Sequence, residues 1–302
     1  QHPIVDVRLD DGSRVHAAQE PAVLPLRYQD PDPKRRHAAT SLTIRKFPDS
    51  PVTFDQLVEW GSLTEDMRTF LQDCVRLRKN IVVSGGTGSG KTTLLNCLSS
   101  YCQENHRIVT IEDTAELRLV PPHVVSMETV KATADNKDGI DIAALVRSSL
   151  RMRPDRIFVG ECRGAEALDM LQAMNTGHSG SMTTAHANSP REMLLRLENM
   201  VLSSGSAPPL KAIRNLISSA VQIIIQTNRF DMKGEGNSRR MTSIAEIVGM
   251  DEDGEEIILE PVFEFVGHPE DPPGRGGFHA QTGYLPTFWR DLSLFQPTSR
   301  VV

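Results

Sequence analysis

An apolar run at residues 80–84 leads straight into Gly85-Gly86-Thr87-Gly88-Ser89-Gly90-Lys91-Thr92-Thr93, which carries the G-x-x-x-x-G-K-[ST] spacing from Gly85 to Thr92. A helix is expected from Gly90, so the motif has the strand before it and the helix after it that its chemistry needs. Glycines at 85, 86, 88 and 90 let successive N–H groups converge on a chain of phosphates, and the helix N-terminus adds the positive end of its dipole. Lys91 supplies a mobile charge for β- and γ-phosphates, and the Thr92 hydroxyl can ligate Mg²⁺. A glycine-rich turn that only linked strand to helix would need neither side chain.

A phosphate cradle specifies a nucleotide and not a task, so the task must come from other strand ends, where a parallel sheet wrapped by helices collects its ligands. One apolar run, residues 107–111, is followed by Glu112, Asp113 and Glu116; another, residues 156–161, ends in Glu161. Either Glu112 or Glu161 beside the cradle would hold a Mg²⁺-bound water or orient an attacking one. Glu116 reads rather as a surface acid. His178 and His186 flank a further strand expected at 181–184. His186 follows that strand and is placed to donate to a γ-phosphate oxygen, whereas His178 reads as structural. Arg147 and Arg151 lie four apart on one helix face, where a salt-bridged surface and a phosphate or inter-subunit contact are equally open.

The elements that must position these groups follow from the pattern along the chain. Strands and helices alternate from residue 80: strand 80–84, helix from 90, strand 107–111, helix 141–152, strand 156–161, helix 164–174, strand 181–184. That alternation implies an α/β fold with a largely parallel sheet. A β-rich run at 221–227 and an antiparallel hairpin, 240–250 with 255–266, extend it. Residues 1–49 read as two strands about an Asp10-Asp11-Gly12 turn, a loop and a third strand at 41–47, part of a smaller α+β N-terminal domain. Lys34, Arg35 and Arg36 in that loop read as a solvated turn. Residues 50–79 read as a linker and helix, 80–267 as the P-loop domain, and 268–302 as a Gly/Pro-rich tail low in core signal.

The chain has 302 residues and a formal charge of −6, so nothing global attracts nucleic acid or anionic lipid. Four cysteines without C-x-x-C spacing argue against a zinc site or a disulfide framework. No apolar run approaches a membrane span, and the start at Gln1 carries no leader pattern. The expectation is an intracellular fragment of a longer polypeptide.

Taken as a set, Gly85–Thr93, Ile111-Glu-Asp-Thr-Ala-Glu116, Leu150-Arg-Met-Arg-Pro-Asp155, Val159-Gly-Glu-Cys-Arg-Gly164, Thr176-Gly-His-Ser-Gly180 and Thr183-Thr-Ala-His-Ala-Asn188 resemble the type II/IV secretion-system ATPases. Within them they are most similar to the branch serving Tad-type pili. The resemblance covers residues 80 to about 250, with likeness at Asp11–Val15 and Leu42–Phe47. It implies a RecA-like P-loop domain and a homohexameric ring binding ATP and Mg²⁺ at domain and subunit boundaries. Such rings power pilus assembly or protein export through an inner-membrane platform protein, at the cytoplasmic face of the membrane. By position, Lys91 and Thr92 form the Walker A pair, Glu112 lies in the acidic box, Glu161 is the Walker B acid and His186 belongs to the histidine box. Arg14 and Arg45 match N-terminal arginines that reach the phosphates, Arg45 the more clearly.

Two departures stand out. Gly160 occupies the place of the usual Walker B aspartate, so Glu161 or Glu112 must cover the Mg²⁺ water. Ala212-Ile213-Arg214-Asn215-Leu216 replaces the retraction motors' Ala-Ile-Arg-Ala-Gly box. Pilus retraction, conjugation, a helicase-like translocase and a nucleotide-gated scaffold are the competing readings. The acidic charge and the lack of an aromatic-interleaved basic stretch weigh against the translocase.

Overall fold

The computed structural model describes residues 3–23, 40–46, 50–132, 139–205, 208–232, 236–267 and 277–289. Lys34, Arg35 and Arg36 lie outside the described residues. The backbone divides into two compact units, residues 1–51 and 52–302.

The first unit is a three-stranded antiparallel sheet ordered β1 (Ile4–Arg8), β2 (Arg14–Gln19), β3 (Thr40–Arg45). Its strands alternate, so its two faces differ in kind. Val5, Val7, Val15, Ala17, Leu42 and Ile44 share one face through the pairs Val5↔Ala17, Val7↔Val15, Val15↔Ile44 and Ala17↔Leu42. The other face carries Arg8, Arg14 and Arg45, which are direct cross-strand neighbours in one row. His16 Nδ1 approaches Asp6 Oδ1 at 2.8 Å on that same face.

In the second unit, α1 (Phe54–Glu59) and α2 (Glu65–Arg76) open on side-chain caps from Thr53 and Thr64. There follow β4 (Ile81–Gly85), α3 (Lys91–Ser99), β5 (Ile108–Glu112), β6 (Val124–Glu128), α4 (Ile142–Ser149), β7 (Arg156–Val159), α5 (Glu166–Asn175), β8 (Met182–Ala185), α6 (Pro190–Leu202), α7 (Leu210–Ala220), β9 (Ile223–Met232), β10 (Gly236–Met250), β11 (Ile257–Val266) and β12 (Phe278–Gln281). The sheet order is β12-β11-β10-β9-β4-β8-β7-β5-β6. From β9 to β6 every neighbour is parallel, and β10, β11 and β12 add an antiparallel wing.

Near-continuous apolar strands are what a sheet covered on both faces requires. In β4, Ile81 and Val83 enter the core under α1, α2 and α3, whereas Val82 enters the one under α4, α5, α6 and α7. In β9, Ile223 and Ile225 divide from Ile224 in the same way.

Two stretches flanking residues 80–267 join the core and the sheet of this unit. The stretch read as linker and helix supplies Phe54, Leu57, Met67, Phe70 and Leu71 to the first core, because its apolar residues fall on helical faces rather than being diluted as in a linker. The stretch read as a tail returns to the sheet: β12 pairs with β11, and Phe288 is buried 6.0 Å from the Phe70 ring. The buried Glu246 carboxylate holds this return, accepting from Tyr284 Oη at 2.8 Å and the Thr287 N–H at 2.9 Å. Glycine and proline composition hid one short strand and one aromatic anchor.

Candidate active site

β4, β5, β7 and β8 run parallel and deliver their C-terminal ends to one edge, where the P-loop, Glu112, Glu161 and His186 lie. β4 ends in the P-loop, and α3 starts directly at Lys91 with no side-chain cap on its first turn. Its leading N–H groups therefore face the loop, the arrangement that suits an anion. Lys91 Nζ donates to the Gly85 and Gly86 carbonyls at 2.9 and 3.0 Å. Ser89 N–H donates to the Gly86 carbonyl at 3.3 Å, and Ser89 Oγ meets Thr227 Oγ1 at 2.9 Å. The loop thus satisfies itself through contacts that a phosphate oxygen can replace. Burial lowers the Lys91 pKa from its ordinary value, against the opposing charge of Glu161.

β7 ends at Val159, two residues short of the expected strand end, so Gly160 and Glu161 stand just past the sheet edge. Glu161 Oε2 accepts from Arg163 Nη2 at 2.8 Å, and Glu161 Oε1 lies 2.9 Å from His186 Nε2, an ion pair only when the ring is protonated. Glu161 Oε1 is buried without an oriented hydrogen bond among the described residues. Burial by itself raises the Glu161 carboxyl. The Arg163 hydrogen bond and the charges of Arg163 and Lys91 lower it instead, joined by His186 only when that ring is protonated. His186 is lowered by burial and then by Lys91, with Glu161 opposing. At neutral pH the site therefore presents an ionised Glu161 beside a neutral imidazole. Cys162, the next residue, is fully enclosed, and burial pushes its thiol up to about 12, which leaves it inert.

Glu112 is buried at the end of β5, and its carboxylate is engaged by its own chain. Oε1 accepts the backbone N–H groups of Glu116 and Leu117 at 2.9 and 3.0 Å. It anchors the loop that follows, and Glu116 takes part through its backbone. A Cβ on Gly160 would lie 2.8 Å from Glu112 Cγ, so the two acids' elements meet at a glycine. His178 Nδ1 sits 3.3 Å from the Ala173 carbonyl, near the end of α5 and before β8. Arg147 pairs with Asp169 across α4 and α5 at 2.7 Å. Arg14 and Arg45 belong to the first unit, where they oppose each other on β2 and β3.

Two further arginines border the loop that the sequence did not single out. Arg239 Nε donates to the Gly88 carbonyl at 2.8 Å. Arg229, directly opposite Arg239 across β9 and β10, brings Nη1 within 3.1 Å of the position a Cβ would take on Gly88. Only the strand register brings them there, and neither residue carries a motif.

A parallel sheet with a P-loop at one strand end, a glutamate past another and a histidine past a third is the arrangement of a P-loop fold. The chain matches the family described as "Type II/IV secretion system protein" over residues 1–260, and it belongs to that family. Among relatives, the type IV secretion system protein PtlH of Bordetella pertussis is 36% identical over 257 residues, covering 81% of this chain and 75% of PtlH. The conjugal transfer protein TrbB of Rhizobium radiobacter is 35% identical, covering 69% of this chain and 61% of TrbB. The crystal structure of the VirB11 ATPase from the Brucella suis type IV secretion system, in complex with sulphate, superposes with a TM-score of 0.54 at 29% identity, covering 84% of this chain and 75% of that one. The pilus retraction motor PilT, at 24% identity and a TM-score of 0.55, shares the fold. The chain spans 24% of the length of one Methanocaldococcus jannaschii relative and 57% of a putative conjugal transfer protein of Mycobacterium tuberculosis.

Proposed function

We propose that this chain is the ATP-hydrolysing unit of a homohexameric motor that powers pilus assembly or protein secretion through an inner-membrane platform protein, with the Tad-type pilus branch as its place in the family. It would work at the cytoplasmic face of the membrane. Among the described residues no helix is long and apolar enough to cross one. The observation that carries the reading is the convergence of Lys91, Glu161 and His186 at one sheet edge, with Glu161 ionised and its Oε1 lacking an oriented hydrogen bond.

ATP is the substrate. Lys91 exchanges the Gly85 and Gly86 carbonyls for phosphate oxygens, with Gly86, Thr87, Gly88, Ser89, Gly90 and Thr93 forming the cradle. Glu161 orients the attacking water and takes its proton, and His186 reads the γ-phosphate. Thr92 and Glu161 would hold Mg²⁺. A hard cation of this kind takes few protein ligands and is completed by phosphate and water. Held by these residues, Mg²⁺ would supply positive charge to offset the negative charge of the phosphates. Glu112 serves by fixing the loop after β5. Arg45, with Arg14 opposite it on the same sheet face, supplies charge from the first unit as an arginine finger does.

The test is phosphate release by purified protein with ATP and Mg²⁺, alongside light scattering and with single-stranded DNA added at low and high salt. Mg²⁺-dependent release from a hexamer, indifferent to DNA, is expected. A strictly monomeric protein with full turnover counts against the ring. Salt-sensitive stimulation by DNA favours the translocase, and tight ATP binding without release favours the scaffold.

A further inference from the structure

Beyond the residues that the motifs mark, we propose that Arg239 is a positioning residue for polyphosphate binding, holding the Gly88–Ser89 peptide of the P-loop from the neighbouring hairpin. The inference rests on the ATP reading above. β9 pairs with β4 from Ile81↔Ile223 to Gly85↔Thr227 and then continues to Met232, past the point where β4 turns into the loop. β10 returns alongside it, with Arg239 opposite Arg229 and Met241 opposite Thr227. The extended hairpin therefore flanks the loop and touches it twice. Thr227 Oγ1 binds Ser89 Oγ and the Ser84 carbonyl, at 2.9 and 3.1 Å. Two residues further along β9, and so on the same face, stands Arg229, and Arg239 opposite it donates to the Gly88 carbonyl.

The chemistry follows from the peptide plane. In a trans peptide the carbonyl of one residue and the N–H of the next point in opposite directions. A guanidinium that holds the Gly88 carbonyl on the hairpin side therefore turns the Ser89 N–H toward the interior of the loop. There its bond to the Gly86 carbonyl is long, 3.3 Å, beyond the usual range for N–H to oxygen, so a phosphate oxygen displaces it at little cost. Gly88 itself has φ +71°, and any side chain on it would meet Arg229. Arg239 and Arg229 are like charges directly opposite each other, an arrangement that repels by itself and is relieved when a polyanion arrives. Both side chains are exposed, so replacing Arg239 leaves no cavity.

Affinity for a fluorescent ATP analogue and for inorganic pyrophosphate in competition, together with Tm, is measured for wild type and Arg239→Ala. Arg239→Ala is expected to bind both ligands about tenfold more weakly, the scale of a hydrogen bond from a charged donor, with Tm within about 2 °C of wild type. Binding of both within about twofold of wild type overturns the inference, as does a loss for ATP that pyrophosphate does not share. Wild-type protein that binds no ATP overturns the parent reading first, and this one with it; wild-type binding with an unaffected Arg239→Ala overturns this one alone.

Discussion

Gly160 stands where a usual Walker B carries aspartate, and Glu112 occupies the space that such a side chain would need. A Cβ at Gly160 would come within 2.8 Å of Glu112 Cγ and 3.1 Å of Oε1. The carboxylate cannot swing aside cheaply, because the Glu116 and Leu117 N–H groups hold it. An aspartate at this position would have to displace Glu112, whose carboxylate is held by the loop that follows it. Gly160→Ala is expected to destabilise the protein by about 1–3 kcal/mol, the range for overpacking a filled site, and so to lower Tm by several degrees. Differential scanning fluorimetry checks this; an unchanged Tm would mean that Glu112 is free to move. The sequence reveals that two acids compete for one role. It does not reveal which one is spent on backbone N–H groups, because that depends on a turn of five residues whose carboxylate partners are its own amides.

At the scale of elements, the N-terminal edge of the sheet is held by a buried arginine whose donors go to two backbone carbonyls and a ring nitrogen. Arg156, the first residue of β7, donates to the Val75 carbonyl at 2.8 Å, the Gly180 carbonyl at 3.1 Å and His106 Nδ1 at 3.1 Å. It thereby joins the end of α2, the turn before β8 and the turn before β5. His106 must keep Nδ1 unprotonated to accept. Burial, then Arg156 and Arg78, lower its pKa from the ordinary 6.5, against a smaller opposing pull from Asp155. Because the folded value lies below the unfolded one, the stabilisation is full above about pH 6.5 and is lost as pH falls toward the folded value. The urea midpoint is expected to fall between pH 7.5 and pH 5.5. In His106→Asn, whose amide oxygen still accepts from Arg156, that fall should be smaller, and not absent, because His186 and His279 are lowered in the same direction. An identical pH dependence in the variant would remove His106 from the account.

The same scale decides how much of the fold could be read. The alternation of apolar runs locates β4, β5, β7 and β8 and the helices between them, since strands buried on both faces are continuous apolar segments. β6 escapes it, because its residues are only half-buried or exposed at the sheet edge. Strand order escapes it too, since β4 lies between β8 and β9 through pairings that no local pattern encodes. The β-rich run expected at 221–227 continues to Met232, and that extension is what brings Arg229 and Arg239 to the loop. Motif spacing exposes residues that act through adjacent backbone, as Lys91 and Thr92 do. It is blind to side chains that a register delivers from 140 or more residues away, as Arg239 is delivered to Gly88.

At the scale of the whole molecule, two units divide the task in the proposed function, with the P-loop and its acids in one and the arginine row in the other. Arg45 is expected to act on hydrolysis rather than on primary binding, since the P-loop by itself grips the phosphates. Arg45→Ala should bind ATP within about threefold of wild type, equivalent to about 0.65 kcal/mol, yet lose most of its turnover, while Lys46→Ala changes little. Steady-state phosphate release by the purified variants decides this, and an unchanged rate in Arg45→Ala would confine the chemistry to the P-loop unit.

The central claim is that Glu161, held ionised by Arg163 and Lys91 beside the His186 ring, acts on the water that attacks ATP. Its most direct test compares wild type with Glu161→Gln in phosphate release at saturating ATP and Mg²⁺, with ATP affinity measured on the same preparations. The account predicts unchanged affinity and a rate lower by roughly 10²-fold or more, the scale on which a base or water-positioning group acts. Normal hydrolysis by Glu161→Gln would contradict it.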